Sequence, residues 1–212
     1  MDKKKLGYQE AYSLKTPNDS KRLYKKWAKT YDKDFALNSN YVSPKKISTL
    51  FNKYAKITDT PILDVGAGTG LIAEFLNKKN NKEIIGIDIS SEMLKEAKLK
   101  GCYSSLMVSD VTKKIRLKKD SIGAIVSAGT FTHGHVGPDV FDELLRIIKP
   151  GGLFVLSINS KYFVEKGFQK KFLEIKKNIS TPKFIKYNAH GNNKNKKFNK
   201  IKIFATIFRK KI

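Results

Sequence analysis

Cysteine occurs once, at Cys102, and arginine four times, at Arg22, Arg116, Arg146 and Arg209. A single cysteine excludes an intrachain disulfide and fits a reducing, cytoplasmic setting. No apolar run approaches the roughly 18 residues a membrane helix needs. The charged opening Met1–Lys5 has no apolar segment behind it, so neither a membrane span nor a signal peptide is expected. The shortage of arginine qualifies the net charge of +24. Such a charge suits anionic partners, but arginine is the residue that grips phosphates and bases in bidentate fashion. The lysines are spread over most segments, often beside asparagine or isoleucine. The charge therefore reads as a solvated, compositionally biased surface, and nucleic acid is not the expected partner. With 212 residues and 40% hydrophobic content, one domain with one core is expected.

What is present centres on the stretch Ile62-Leu63-Asp64-Val65-Gly66-Ala67-Gly68-Thr69-Gly70-Leu71-Ile72. A short apolar run predicts a buried strand, three alternate glycines predict a turn, and Leu71, Ile72, Phe75 and Leu76 fall at helical spacing. Glycines here admit backbone angles other residues resist and let a ligand lie against bare backbone. A dinucleotide fingerprint would place its third glycine at position 71, which is Leu71. No Gly-Lys-Ser/Thr follows, so a phosphate-cradling loop is excluded as well.

Around this turn the pattern is consistent. Ile84–Asp88 reads as a second strand ending on an acid about twenty residues past the glycines, where a carboxylate can accept from both hydroxyls of a ribose. Ser90 is placed to cap the helix carrying Met93, Leu94, Ala97 and Leu99. Tyr103–Val108 reads as a third strand, closed by Ser109-Asp110-Val111. Asp120–Ala128 reads as a turn and a fourth strand, and Leu153–Ile158 as a fifth after the break Lys149-Pro150-Gly151-Gly152. Asp64, Asp88 and Asp110 thus sit at successive strand ends, the binding edge of a doubly wound sheet. Upstream, a helix is expected from Ser20, capped by Asp19 or Ser20, and another from Pro44, capped by Ser43. Downstream, one covering helix is expected over Tyr162–Ile175. Strands are expected at Phe184–Tyr187 and Ile201–Phe208, with a polar loop between them in which His190 reads as incidental.

The Asp-x-Gly-x-Gly-x-Gly turn resembles motif I of the class I S-adenosylmethionine (SAM)-dependent methyltransferases. The run Phe141–Leu156, with Leu-Leu-Arg-Ile-Ile-Lys-Pro-Gly-Gly inside it, is similar to that family's later motifs. The segment from Trp27 to Phe35 looks like the lid of its small-molecule members. Among these, Trp-Ala-x-x-Tyr-Asp and Gly-Thr-Phe-Thr-His-Gly-His look most like the methyltransferase-like proteins of the Williams–Beuren-region type. The resemblance implies an α/β Rossmann-like, doubly wound, seven-stranded sheet, mostly parallel with an antiparallel C-terminal strand. It further implies a helical lid over residues 1–57 and a SAM-binding domain over 58–212.

It also implies SAM as cofactor, S-adenosylhomocysteine as product, and transfer to a small molecule by in-line displacement, with no metal expected. Asp64, Gly66, Ala67, Gly68, Thr69 and Gly70 would hold the methionyl part, Asp88 the ribose, and Ile89, Met93, Asp110 and Val111 the adenine. Ser127, Ala128 and Gly129 would close the site, with Tyr31 descending from the lid. The residues nearest the chemistry would be Tyr31, His133 and His135. The histidines titrate near neutrality and suit a base, although His-Gly-His lacks the third ligand a metal would need.

Several related activities lack their signatures. There is Ser127-Ala128-Gly129-Thr130, not Asp/Asn-Pro-Pro-aromatic, after the fourth strand. Cys102 follows a glycine and is not placed as a pyrimidine-attacking nucleophile, and no paired-glutamate loop is present. The remaining alternatives to a small-molecule enzyme are an RNA-modifying methyltransferase on the same fold and a SAM-binding module without catalysis.

Overall fold

A computed structural model describes residues 16–77, 82–132, 136–191 and 201–212 of the 212-residue chain. Seven strands form one sheet: β1 (Ile62–Val65), β2 (Ile84–Asp88), β3 (Ser105–Val108), β4 (Ile122–Phe131), β5 (Ile148–Asn159), β6 (Lys183–Asn188) and β7 (Lys202–Arg209). Their order is β3-β2-β1-β4-β5-β7-β6. The first five run parallel, and β7 lies antiparallel between β5 and β6. The order reverses between β1 and β4, which places a crevice at the carboxyl ends of those strands.

Alternation along the strands builds two cores. Ile62, Ala124, Val126, Leu153 and Val155 face helices α2 (Ser43–Tyr54) and α3 (Leu71–Asn77), where Ile47, Phe51, Ile72 and Leu76 meet them. Leu63, Val65, Ile125, Phe154 and Leu156 face the other way, toward Phe141 and Leu144 of α5 (Val140–Ile147). Phe168 and Phe172 of α7 (Phe168–Glu174) complete that layer. Helix α4 (Ser91–Leu99) follows β2, and α6 (Ser160–Glu165) follows β5. The single covering helix expected over 162–175 is broken into α6 and α7 at Gly167, whose φ is 79°.

Among the described residues the N-terminal segment, expected as the lid, starts with α1 (Pro17–Trp27), three residues earlier than the apolar spacing suggests. Its cap is Thr16 and not Asp19 or Ser20. Thr16 Oγ1 accepts from the Asp19 N–H at 3.1 Å, and Asp19 Oδ2 accepts from the Thr16 N–H at 3.0 Å. This reciprocal box, with proline in the first turn, is a strong helix start. Ser43 likewise does not cap α2; it lies inside the helix, and Val42 holds the cap position without a side-chain bond. Between α1 and α2 the chain makes a 3-10 turn (Ala28–Thr30) and a π-type turn (Asp32–Leu37). Trp27 and Phe35 are buried there, with Tyr24, Tyr31 and Tyr41 packed around them. Two expected strands extend further than their apolar cores: β4 runs on through Phe131, and β5 takes in Lys149–Gly152. Among the described residues no helix is long and apolar enough to cross a membrane.

Candidate functional site

The glycine turn follows β1 directly. Gly66, Gly68 and Gly70 all have positive φ, at 71°, 54° and 89°, a region closed to most side chains. Two of the three are also needed for space. A methyl group on Gly66 would collide with Thr130 Oγ1, which donates to the Val65 carbonyl at 2.9 Å. One on Gly70 would press on Tyr103 and Ala97. Gly68 is different: nothing lies within 4 Å of where its Cβ would be. Its open side lines a solvent-open cavity of about 940 Å³, counted out into the solvent at its mouth.

Asp88 organises this turn. Its Oδ2 accepts from the Gly68 N–H at 2.9 Å and its Oδ1 from the Ser90 N–H at 2.8 Å. Burial pushes the carboxyl above its ordinary range, while the backbone N–H groups of Ser90, Gly68 and Ile89 pull it back. The carboxylate keeps acceptor capacity for a ligand. Ser90 Oγ accepts from the Met93 N–H at 3.2 Å, so it caps α4 and leaves Asp88 free of that task.

Most residues singled out from sequence converge on the cavity. Gly66, Ala67, Gly68 and Thr69 form one side of it. Asp88, Ile89, Met93, Asp110 and Val111 form a second, and Ala128 and Gly129 a third. Tyr31 covers it from the lid. Asp110 Oδ1 accepts from both the N–H and the Oγ1 of Thr112, at 3.0 and 2.6 Å, which fixes the carboxylate at the rim.

Three expected residues do not line it. Asp64, at the second-face position of β1, is 1% exposed and turns away from the crevice. Its Oδ2 accepts from the Tyr103 hydroxyl at 2.7 Å, while its Oδ1 is buried without a partner among the described residues. Burial pushes its carboxyl up to about 7 against the pull of that hydroxyl. Gly70 serves helix–helix packing behind the turn. Ser127 is fully buried and donates through Oγ to the Val65 carbonyl at 2.7 Å, tying β4 to β1. His133 and His135 lie outside the described residues.

His190 is not incidental. It is fully buried, its Nδ1 lies 3.0 Å from the Ser39 carbonyl, and its ring packs on Phe35 and Tyr41. Desolvation lowers its pKa to about 4. It bridges to Tyr41 and so fastens the lid to the end of β6. No local pattern in the sequence announces this, because all three partners lie some 150 residues away.

The sequence reading also passed over the clasp that closes the lid. Thr69 Oγ1 donates to Asp32 Oδ1, and Lys100 Nζ reaches Asp32 Oδ2 at 2.6 Å and Glu74 Oε2 at 3.1 Å. The Tyr31-Asp32 pair was the available signal: one residue enters the cavity and the next holds the glycine turn. Tyr24 and Tyr41 join Tyr31 over the opening. Burial pushes the Tyr41 hydroxyl up to about 12, so it stays protonated. Among the described residues no group of three His, Cys, Asp or Glu side chains converges as a metal site.

A methyltransferase-domain family model matches residues 63–156, which runs from β1 to β5 and contains the glycine turn. The human methyltransferase-like protein 27 is 30% identical over 140 residues, 64% of this chain and 56% of that protein. The chain spans between about a fifth and somewhat over half of the length of the curated relatives it matches. A SAM-dependent methyltransferase from Aquifex aeolicus superposes with a TM-score of 0.59 at 18% identity, covering 87% of this chain and 97% of that one. The plantazolicin methyltransferase BpumL, solved with S-adenosylhomocysteine, gives 0.63 at 14% identity, covering 96% and 93%. At these identities the two structures share the fold with this chain.

Proposed function

This chain belongs to the class I SAM-dependent methyltransferase family, and from that premise we propose that it transfers the methyl group of SAM to a small-molecule acceptor by in-line displacement. The observation that carries the reading is the pairing of Asp88 with the open face of Gly68 on one cavity. The cavity suits SAM by the chemistry of its walls. Asp88 retains acceptor capacity for the ribose hydroxyls, Ile89, Met93 and Val111 offer apolar faces to the adenine, and bare backbone at Gly68 admits the methionyl chain. BpumL, of the same fold, was solved with the demethylated product.

Bound SAM supplies a methyl group on a cationic sulfur. The protein's part is alignment and the exclusion of water. Tyr24, Tyr31 and Tyr41 cover the opening, and the Asp32 clasp holds them there. A small, neutral acceptor in a cytoplasmic setting agrees with the scarcity of arginine, since an RNA substrate would call for phosphate-gripping side chains.

Calorimetric titration with SAM, S-adenosylhomocysteine and NADH tests the reading. Micromolar binding of the first two, none of NADH, and at least fiftyfold weakening by Asp88→Ala are expected. Failure of both SAM and its product to bind would overturn it. Salt-sensitive binding of RNA with turnover on RNA alone would replace the small-molecule acceptor with a nucleic acid.

A further inference from the structure

A second, smaller cavity, also open to solvent, adjoins the first and shares Tyr24, Tyr31, Tyr41 and Gly129 with it. It lies beyond the carboxyl ends of β4 and β5, the side on which a methyl group presented from the first cavity would emerge under the reading above. Its composition is selective. One wall is a run of aromatic rings in which Tyr31, Phe35 and Tyr41 follow one another with centroids 5.1 and 5.4 Å apart, and Tyr24 adds to it at 6.0 Å from Tyr31. Phe131 contributes a further ring. Flat aromatic guests stack on or against such rings more favourably than aliphatic ones of equal area.

The polar part is small. Asn159 lines the cavity, and its Oδ1 already accepts from the Lys161 N–H at 3.0 Å. Its amide N–H groups can donate to a guest, and Oδ1 keeps a second lone pair. Ser157 Oγ already accepts from the Gly129 N–H at 2.9 Å, so its O–H and one lone pair are left. Together they suit a guest hydroxyl, whose oxygen accepts from the donors and whose proton one of the lone pairs can hold. Thr132 Oγ1, buried with no partner among the described residues, borders the same space. None of the described residues lining this cavity carries a charge, and an ionic guest would be desolvated there without a counter-charge.

We propose that this second cavity is the acceptor subsite and that the acceptor is a neutral hydroxylated aromatic of one or two rings, methylated on its hydroxyl oxygen. The proposal rests on the SAM-dependent reading above. The hydroxyl oxygen forms a bond to the methyl carbon as the carbon–sulfur bond of the sulfonium donor breaks. The electron pair of that bond stays on sulfur, giving the neutral thioether, and the hydroxyl proton passes to water. The Asn159 and Ser157 donors favour the ionised over the neutral oxygen as that proton leaves.

Trp27, the chain's single tryptophan, sits 5.2 Å from Tyr31 and 5.4 Å from Phe35 between ring centroids and reports on this wall by fluorescence. The protein is first titrated with S-adenosylhomocysteine by calorimetry. The saturated complex is then titrated with 2-naphthol, 2-naphthoate, 2-naphthylmethylammonium and hexanoate, and turnover on each is followed with SAM as formation of S-adenosylhomocysteine. Naphthol should bind at least tenfold tighter than the other three and alone be methylated. Asn159→Asp keeps the oxygen that caps α6 and removes the donors; it should weaken naphthol at least tenfold and leave S-adenosylhomocysteine binding unchanged. Ile203→Phe, which fills the cavity from β7, should do the same by a different route. Equal or tighter binding of the carboxylates or the ammonium would overturn the proposal. So would naphthol binding that neither variant affects. In those cases S-adenosylhomocysteine still binds and the methyltransferase reading stands. Absence of S-adenosylhomocysteine binding sinks that reading first, and the acceptor assignment with it.

Discussion

Asp32 in the lid and Thr69 in the glycine turn are hydrogen-bonded across 37 residues of sequence, with Thr69 Oγ1 as donor and Lys100 as counter-charge on the far carboxylate oxygen. The bond makes closure of the lid depend on the conformation of the turn. Asp32 and Lys100 are partly exposed, so the ion pair itself adds little. Asp32→Asn should therefore leave the thermal midpoint within about 2 °C. S-adenosylhomocysteine affinity should fall by roughly fivefold to tenfold, about 1 kcal/mol of lost lid closure. Calorimetry beside a thermal melt separates the two effects.

Gly66 and Gly68 should respond differently to the same change. Gly66→Ala drives a methyl group into Thr130 at positive φ and should destabilise the fold by about 2 kcal/mol or more. Gly68→Ala meets no atom of the protein. It should cost about 1 kcal/mol of backbone strain, yet weaken S-adenosylhomocysteine by more than tenfold, because its methyl group occupies the ligand's space. Denaturant unfolding and ligand titration of both variants distinguish packing from contact.

Asp64 sets a pH dependence. Its folded pKa of about 7 lies above the ordinary value of 3.8, so between those two values the folded state binds more protons than the unfolded state. Its contribution to stability is complete below about pH 4 and is lost as pH rises toward 7. Asp64→Asn retains an acceptor for Tyr103 and removes the titration. The stability difference between variant and wild type, measured by urea unfolding, should move in the variant's favour from pH 5 to pH 8.

His190 acts in the opposite direction. Its folded pKa of about 4 lies below the ordinary 6.5, so the unfolded state takes up the proton first on acidification. The stability that neutral His190 provides is present above pH 6.5 and is lost as pH falls toward 4. Because the ring packs against Phe35 and Tyr41, loss should be felt first in that N-terminal segment. Hydrogen exchange at pH 5 should show the Tyr41–Val42 amides opening faster relative to β1 than at pH 7.5, and His190→Gln should abolish that difference.

Arg209 offers a stability test remote from the site. It donates to both oxygens of the buried Asp59 at 2.8 and 2.9 Å, and to the carbonyls of Gly151 and Tyr54. Arg209→Met strands the Asp59 carboxylate. A loss of about 3 kcal/mol, on the order of 10 °C in thermal midpoint, is expected. Asp59→Asn in the same background should recover part of it.

The parts of this fold that are legible in the sequence are those set by local rules. The apolar runs of β1, β2 and β4, the glycine spacing and the acid at position 88 each announce themselves within a dozen residues. The parts that are not legible depend on partners far along the chain. Asp64 stands next to the end of β1 as Asp88 ends β2, yet alternation turns it toward Tyr103 and away from the crevice. Ser127 is buried against Val65 because β4 lies next to β1, a neighbour that spacing does not reveal. His190 is fixed by lid residues from the opposite end of the sequence. The cap at Thr16 was readable, since a threonine before a proline with an acid three residues on is a local signal.

The position of β7 between β5 and β6 has a consequence for synthesis. Phe208 stacks on Phe154 at 4.4 Å between centroids and also packs on Phe141 and Phe172. A growing chain can pair its five parallel strands once Asn159 has emerged, but the edge of β5 that β7 covers stays unpaired, and Phe154 lacks its stacked ring, until Arg209 is made. The nascent protein therefore passes through a stage that has its ligand crevice but not its closed sheet. During that stage an open strand edge flanked by phenylalanines is offered to whatever lies near the ribosome.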